Sequence, residues 1–313
     1  MSVPTLPAED ATRAARAVAP TADAVAPGAP ATVSPAAPPA VSPVAEAYAR
    51  LGEVFPGLGV TELGAAEAAP RGAGWAAAAR LAEGGPELDA FLAWDEAQVV
   101  RDHGERARPD VVAGFGLHRY AWPACLLITV PWFLLRRGPR LPVEDVTFHR
   151  ELGRMAVRVT TFACLPDDPA AALPGARVVP DEDALRAEVR AAVAEHLEPV
   201  LGGFGPRMRR RGRALWGMAT DEIVEGLWYV AELFGEERRA TRELELLLPG
   251  STLPYAGSAA FRELTGPGGE PLPTRDRVSC CLFYTVRPAD TCVTCPRTCD
   301  ADRVARLTAA AAG

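Results

Sequence analysis

Apolar residues recur mostly at intervals of three and four along this chain, the period of a helix with one buried face. The spacing predicts a short helix in AEAYARLGEVF from Ala45 and another over Trp75–Glu83. Pro86 opens a longer one, PELDAFLAWDEAQVVRD, in which Leu88, Phe91, Leu92, Val99 and Val100 mostly share a face. DEDALRAEVRAAVAEHLEPVL follows Pro180, with acidic residues in its first turn, and the glycines of GGFG (202–205) are expected to break it. A second long helix is expected over Arg210–Phe234 and a shorter one ending near Leu248. Alternation of period two marks strands at Val146–His149 and Met155–Cys164, and VSCCLFYTV (278–286) reads as β-rich. The sum is an α+β chain: a helix-rich domain with a small number of strands and a C-terminal cysteine-rich loop.

The longest apolar stretch, Tyr120–Leu135, contains Pro123 and Pro131 and falls short of a membrane span, so it reads as a buried core segment. A membrane helix flanked by Arg136 and Arg137 is the alternative. Residues 1–44 are nearly all Ala, Pro, Val, Ser and Thr, a composition that buries too little surface to offset the entropy of ordering, and are expected to form a disordered tail. The organisation that follows is a tail over 1–44, a helix-rich domain over 45–270, a cysteine-bearing segment over 271–299 and a C-terminal tail over 300–313. The prolines and charges of Met1–Pro20 do not form a secretory signal, which points to the cytoplasm.

Charge narrows the function. The net charge of −7 argues against binding duplex nucleic acid, which needs a basic stripe. All 33 basic residues are arginine. The absence of lysine excludes a phosphate-loop lysine, a Schiff-base lysine and a kinase strand lysine. Gly114-Phe-Gly116 lacks a third glycine, since Arg119 stands there, so a dinucleotide-binding loop is not supported.

Of seven cysteines, Cys125 and Cys164 lie in apolar runs; Cys280, Cys281, Cys292, Cys295 and Cys299 gather near the end. Without an export signal such a set reads as a metal site before it reads as disulfides. Cys292-Val-Thr-Cys295 is a chelating loop, since two intervening residues let both sulfurs turn inward. Consecutive strand side chains point to opposite faces, so Cys280 and Cys281 share one site only if a strand ends or bulges there. Four thiolates in this arrangement suit a [2Fe–2S] cluster. Structural zinc is the alternative, although zinc sites normally use two spaced pairs. Cys299, four residues beyond Cys295, is a free thiol or a spare ligand.

Cys-Cys, ten residues, Cys, two residues, Cys resembles the C-terminal signature of the FhuF-like ferric-siderophore reductases. Three further tracts are similar to that family: the apolar run Trp122–Leu135, the stretch Phe148-His149-Arg150-Glu151-Leu152-Gly153-Arg154, and Leu215-Trp216-Gly217 opening a helix through Trp228. Met218 departs from the polar residue expected there. The resemblance implies a [2Fe–2S] cluster on Cys280, Cys281, Cys292 and Cys295. It also implies one-electron reduction of a ferric siderophore, a hydroxamate above all, in the cytoplasm. Electrons would come from an external ferredoxin or reductase, and association with the inner face of the membrane or a transporter is a further implied contact. A non-catalytic zinc- or cluster-binding adaptor on the same scaffold is the competing reading.

His149, Arg154 and Trp216 are the candidates for residues near the substrate. Their plainer readings are a histidine satisfied at a strand end, a surface arginine paired with Glu151 or Asp145, and a core aromatic. Arg207-Met-Arg-Arg-Arg-Gly-Arg213 is the densest basic run; it reads as a docking patch for an acidic donor, a membrane surface or a ferric complex, or as a solvated helix start.

Overall fold

A computed structural model describes residues 42–250, 252–288 and 291–311. Eight α-helices lie among these residues: α1 (Ala45–Val54), α2 (Ala78–Ala82), α3 (Pro86–His103), α4 (Pro109–Leu135), α5 (Glu182–Met208), α6 (Arg213–Leu233), α7 (Glu237–Leu247) and α8 (Asp300–Ala311). Nine short strands accompany them: β1 (Gly59–Glu62), β2 (Trp75–Ala77), β3 (Gly138–Arg140), β4 (Val146–His149), β5 (Arg154–Val157), β6 (Thr161–Cys164), β7 (Ala176–Val178), β8 (Phe261–Thr265) and β9 (Pro271–Arg275). They form a sheet of order β1-β5-β4-β2, a second of order β3-β6-β7, and the antiparallel hairpin β8-β9. The α+β class read from the sequence is the class observed.

The core forms around α4. That helix is apolar on every side, so it needs cover on every side; α5, α6, α3 and α1 supply it. At 27 residues it is long and apolar enough to cross a bilayer, yet 78% of its most apolar window is buried within the fold. It is the core segment expected, extended back to Pro109. Proline lacks an N–H, so Pro131 frees the carbonyl of Leu127 from the helical ladder. The hydroxyl of Tyr48 on α1 donates to that carbonyl at 2.8 Å. An orphaned acceptor thus becomes the pin between two helices. Polar pairs join other helices: Asp95 on α3 with Arg119 on α4 (2.5 Å), and His118 on α4 with Glu222 on α6 (2.7 Å).

Several expected elements take another form. The GGFG tract does not break its helix; α5 runs through it to Met208. A Cβ at Gly203 would lie 2.4 Å from the carbonyl oxygen of Leu81, so glycine there permits α2 to end directly against α5. Gly114 and Gly116 are also helical. Trp75–Ala77 pairs with β4 as a strand, and only Ala78–Ala82 is helical. The stretch Met155–Cys164 is two strands in two sheets. Between them Arg158 turns outward to the Asp145 carboxylate (2.9 Å) and the Glu67 carbonyl (2.6 Å). Residues 278–286 are not β but irregular, with a single 3₁₀ turn at Phe283–Thr285. Residues expected as a C-terminal tail form α8 through Ala311. The tail expected over 1–44 lies outside the described residues up to 41. Within its last residues, Ser42 donates to the Glu62 carboxylate at 2.6 Å and Val44 is buried.

Candidate metal centre

The centre is built on one stripe of α6. Gly217, Asp221 and Glu225 are spaced by four and so lie one above another on a single face. Gly217 leaves room: a Cβ there would meet Val278 Cγ1 at 3.0 Å and Ser279 Cβ at 3.9 Å. Asp221 is fully buried, an expensive place for a carboxylate unless it is paired. It accepts from the Val278 N–H (3.0 Å), the Ser279 N–H (2.8 Å), the Ser279 hydroxyl (2.6 Å) and the Arg275 guanidinium (2.8 Å). Those bonds consume the backbone donors that a continued strand would need. This explains why the chain from Val278 to Cys280 is irregular rather than a continuation of β9. Arg275, itself fully buried, also donates to Glu225 (2.8 Å) and to the carbonyl of Ala259 (3.0 Å).

The adjacent cysteines follow at once. Arg210 holds the Cys280 carbonyl at 2.7 Å with one guanidinium nitrogen and reaches the Met218 sulfur at 3.3 Å with another. Met218 therefore has a role despite its apolar character. Leu282 then adopts a left-handed backbone (φ 64°), and its N–H donates to Cys280 Sγ at 3.4 Å. The Arg297 N–H makes the same two-residue return to Cys295 Sγ at 3.5 Å. The strand thus ends before the Cys280–Cys281 pair, the condition that adjacent ligands require. The segment is sealed to the helices by Leu282 and Val286 against Val99 and Val111, and by Phe283 against His103 and Phe115.

Cys292-Val-Thr-Cys295 forms a turn closed by the Cys295 N–H on the Cys292 carbonyl (3.1 Å). From α8, buried Arg303 donates to the carbonyls of Cys295 (3.1 Å), Thr298 (3.2 Å) and Arg275 (3.2 Å), tying this turn to the end of β9. Arg306 on the same helix donates to the carbonyl of Thr291. Arg277 approaches Cys292 Sγ at 3.9 Å and lies 3.7 Å from Asp221.

Cys280 and Cys292 have raised pKa values, in both cases chiefly through burial. Cys292 reaches about 11 despite the opposing Arg277, with Cys281 and Cys295 adding to the rise. The thiols of Cys281 and Cys295 likewise raise Cys280. Cys280 and Cys292 are thus each within electrostatic reach of Cys281 and Cys295. Arg277 is held protonated against the cost of its burial by Asp221 and Glu225 and by the thiols of Cys281 and Cys292. Cys299 is exposed.

The grouping is loose. Among the described residues, no three Cys, His, Asp or Glu side chains converge closely enough for one ion to hold them. A [2Fe–2S] cluster asks instead for thiolates shared between two irons. The donor set fits: four soft ligands, N–H groups already directed at two of the sulfurs, and a cation beside a third.

The other candidates divide between the four-stranded sheet and α6. His149 meets Trp75 edge-on (5.2 Å between ring centres) and accepts the Leu152 N–H at 3.3 Å; Arg154 faces it across the β4–β5 pair. Both belong to the four-stranded sheet. Trp216 is on α6 beside the stripe and packs on Tyr255, while Trp228 is buried against Phe261. Of the basic run, Arg210 reaches the cysteine segment directly. The sequence reading missed Asp221, Arg275, Arg277, Ser279 and Arg303. The one available sign was Asp221-Glu222, two carboxylates in the apolar middle of a helix.

Residues 277–297 match the family model of the FhuF 2Fe-2S C-terminal domain. The match includes Cys280, Cys281, Cys292 and Cys295 and ends before Cys299. No curated protein matches the chain. Residues 277–297 thus form a FhuF-type 2Fe–2S C-terminal domain, and its cofactor is a [2Fe–2S] cluster.

Proposed function

We propose that this protein is a cytoplasmic ferric-siderophore reductase that takes one electron at a time from an external donor and releases iron as Fe(II). Cys280, Cys281, Cys292 and Cys295 hold the cluster in this reading. Bound there, the cluster supplies a one-electron couple. Ferric iron is gripped by hard oxygen donors such as hydroxamates, and Fe(II), of lower charge density, is held far less strongly. Reduction alone opens the complex, so the protein needs no nucleophile or general base.

What the chain must supply is a rigid seat near the surface. Asp221 fixes the backbone before the cysteine pair, Arg210 fixes the Cys280 carbonyl, and Arg303 fixes the Cys295 carbonyl. Arg277 places positive charge beside Cys292, which favours the electron-rich state. The observation that carries the reading is this FhuF-type cysteine segment with three of its four thiols only half-buried, within reach of a bulky chelate.

The test is a single turnover. The reconstituted protein, reduced anaerobically, is mixed with a ferric trihydroxamate and an Fe(II)-trapping chelator. Stoichiometric re-oxidation with coloured Fe(II) chelate is expected. A reduced centre that ignores the ferric complex would remove the substrate assignment.

A further inference from the structure

The turn between α5 and α6, with the helix ends that flank it, carries Arg207, Arg209, Arg211 and Arg213, all exposed, around the half-buried Arg210. Among the described residues Arg209, Arg211 and Arg213 make no ion pair, whereas Arg207 pairs with Asp89 (2.8 Å). Beside the turn, Arg207 and Arg209 line a groove of about 370 Å³ together with Arg108, Pro109 and Asp110. Among the described residues that line the groove, the one carboxylate, Asp110, is already bonded to Arg108 at 2.8 Å.

This basic surface adjoins the cysteine segment. Arg210 donates to the Cys280 carbonyl from the centre of the turn. One helical turn past Asp110, a Cβ at Gly114 would lie 3.9 Å both from the Cys281 carbonyl oxygen and from Met208 Cε, the residue between Arg207 and Arg209. In a chain of net charge −7, positive charge is thus concentrated where electrons would enter or leave.

We propose that the Arg207–Arg213 turn is the docking surface for an acidic one-electron carrier protein that reduces the centre. The inference rests on the proposed function only in requiring a centre that accepts electrons. Charge decides between the two reactants. Three hydroxamates neutralise one ferric ion, so a ferric trihydroxamate gains little from a cluster of arginines. An acidic carrier gains both orientation and encounter rate. On docking, the reduced carrier loses one electron and the cluster gains it; no bond forms or breaks and no proton moves.

The experiment follows anaerobic reduction of the oxidised holoprotein by stopped flow. The probe is a reduced, acidic plant-type ferredoxin, and the methyl viologen radical cation serves as a small reductant. With ferredoxin the second-order rate should fall as salt rises. The triple variant Arg209→Glu, Arg211→Glu, Arg213→Glu should lose about tenfold or more and cease to be slowed by salt. Its visible spectrum and its reduction by viologen should stay at wild-type values or above. Reduction of the triple variant by ferredoxin at the wild-type rate would overturn the proposal. If anionic phosphatidylserine vesicles bind the wild type but not the triple variant, and the ferredoxin rate is unchanged, the turn is a membrane contact instead. Re-oxidation by a ferric trihydroxamate is read separately. Its absence beside a normal ferredoxin phase would defeat the siderophore reading and leave the docking surface standing.

Discussion

Asp221→Asn is the most revealing single change. The substitution keeps the shape but replaces one carboxylate oxygen with a donor. At present four donors reach this buried group between 2.6 and 3.0 Å. Bonds to a charged acceptor contribute about 1 kcal/mol more than neutral ones. An amide oxygen also cannot receive all four, and its NH₂ would face an N–H. Four weakened bonds give roughly 4 kcal/mol, within the 3–5 kcal/mol range for breaking a buried ion pair. Arg275 keeps Glu225, which caps the loss.

The cost should appear as a lower denaturant midpoint for the whole chain. It should also appear locally, as cluster loss to an iron chelator at least about tenfold faster, the equivalent of only 1.4 kcal/mol. Asp95→Asn is the control, because Asp95 and Arg119 form an ion pair of the helical core, between α3 and α4. It should lower the midpoint without selectively speeding cluster loss. If Asp221→Asn leaves the cluster as durable as in the wild type, the α6 stripe does not hold the cysteine segment.

Three other outcomes are expected. Cys281→Ser should abolish or grossly alter the visible spectrum while Cys299→Ser leaves it nearly intact; the reverse would exchange these two residues in the ligand set. Arg277→Gln removes a cation 3.9 Å from Cys292 Sγ and should lower the midpoint potential by tens of millivolts, with Arg277→Lys close to wild type; a rise would show that the guanidinium does not act on the cluster. His196, buried between the Leu141 carbonyl and the Tyr120 hydroxyl, has its pKa pushed down from 6.5 to about 4, mainly by desolvation. Because the unfolded chain binds this proton and the folded one resists it, stability should fall by about 3 kcal/mol as pH drops from 6.5 to 4 and gain no further loss from this group below. His196→Gln should flatten that limb of an apoprotein denaturation profile, and an unchanged slope would contradict the assignment.

What could be read beforehand follows a physical divide. Period-3.6 patterning located the long helices because their buried faces are continuous, as in Leu88, Phe91 and Val99. Cysteine spacing located the cluster segment because chelation is local. Long-range contacts were not legible. Gly203 looks like a helix breaker until Leu81 is seen to need its space. Residues 278–286 look like a strand until Asp221, over fifty positions earlier, takes their N–H groups. In the family-like tract, His149 packs on Trp75 and stands opposite Arg154 in its own sheet, neighbours that no local pattern announces. The arginine run was visible as charge, but its position beside Cys280 was not.

The most direct test of the central claim is chemical analysis of the purified protein with EPR after reduction. A [2Fe–2S] centre requires equal amounts of iron and acid-labile sulfide, two of each per chain, and the signal of a mixed-valent iron pair on one-electron reduction. A colourless protein that binds one zinc ion and stays colourless through anaerobic reconstitution with iron and sulfide would contradict it.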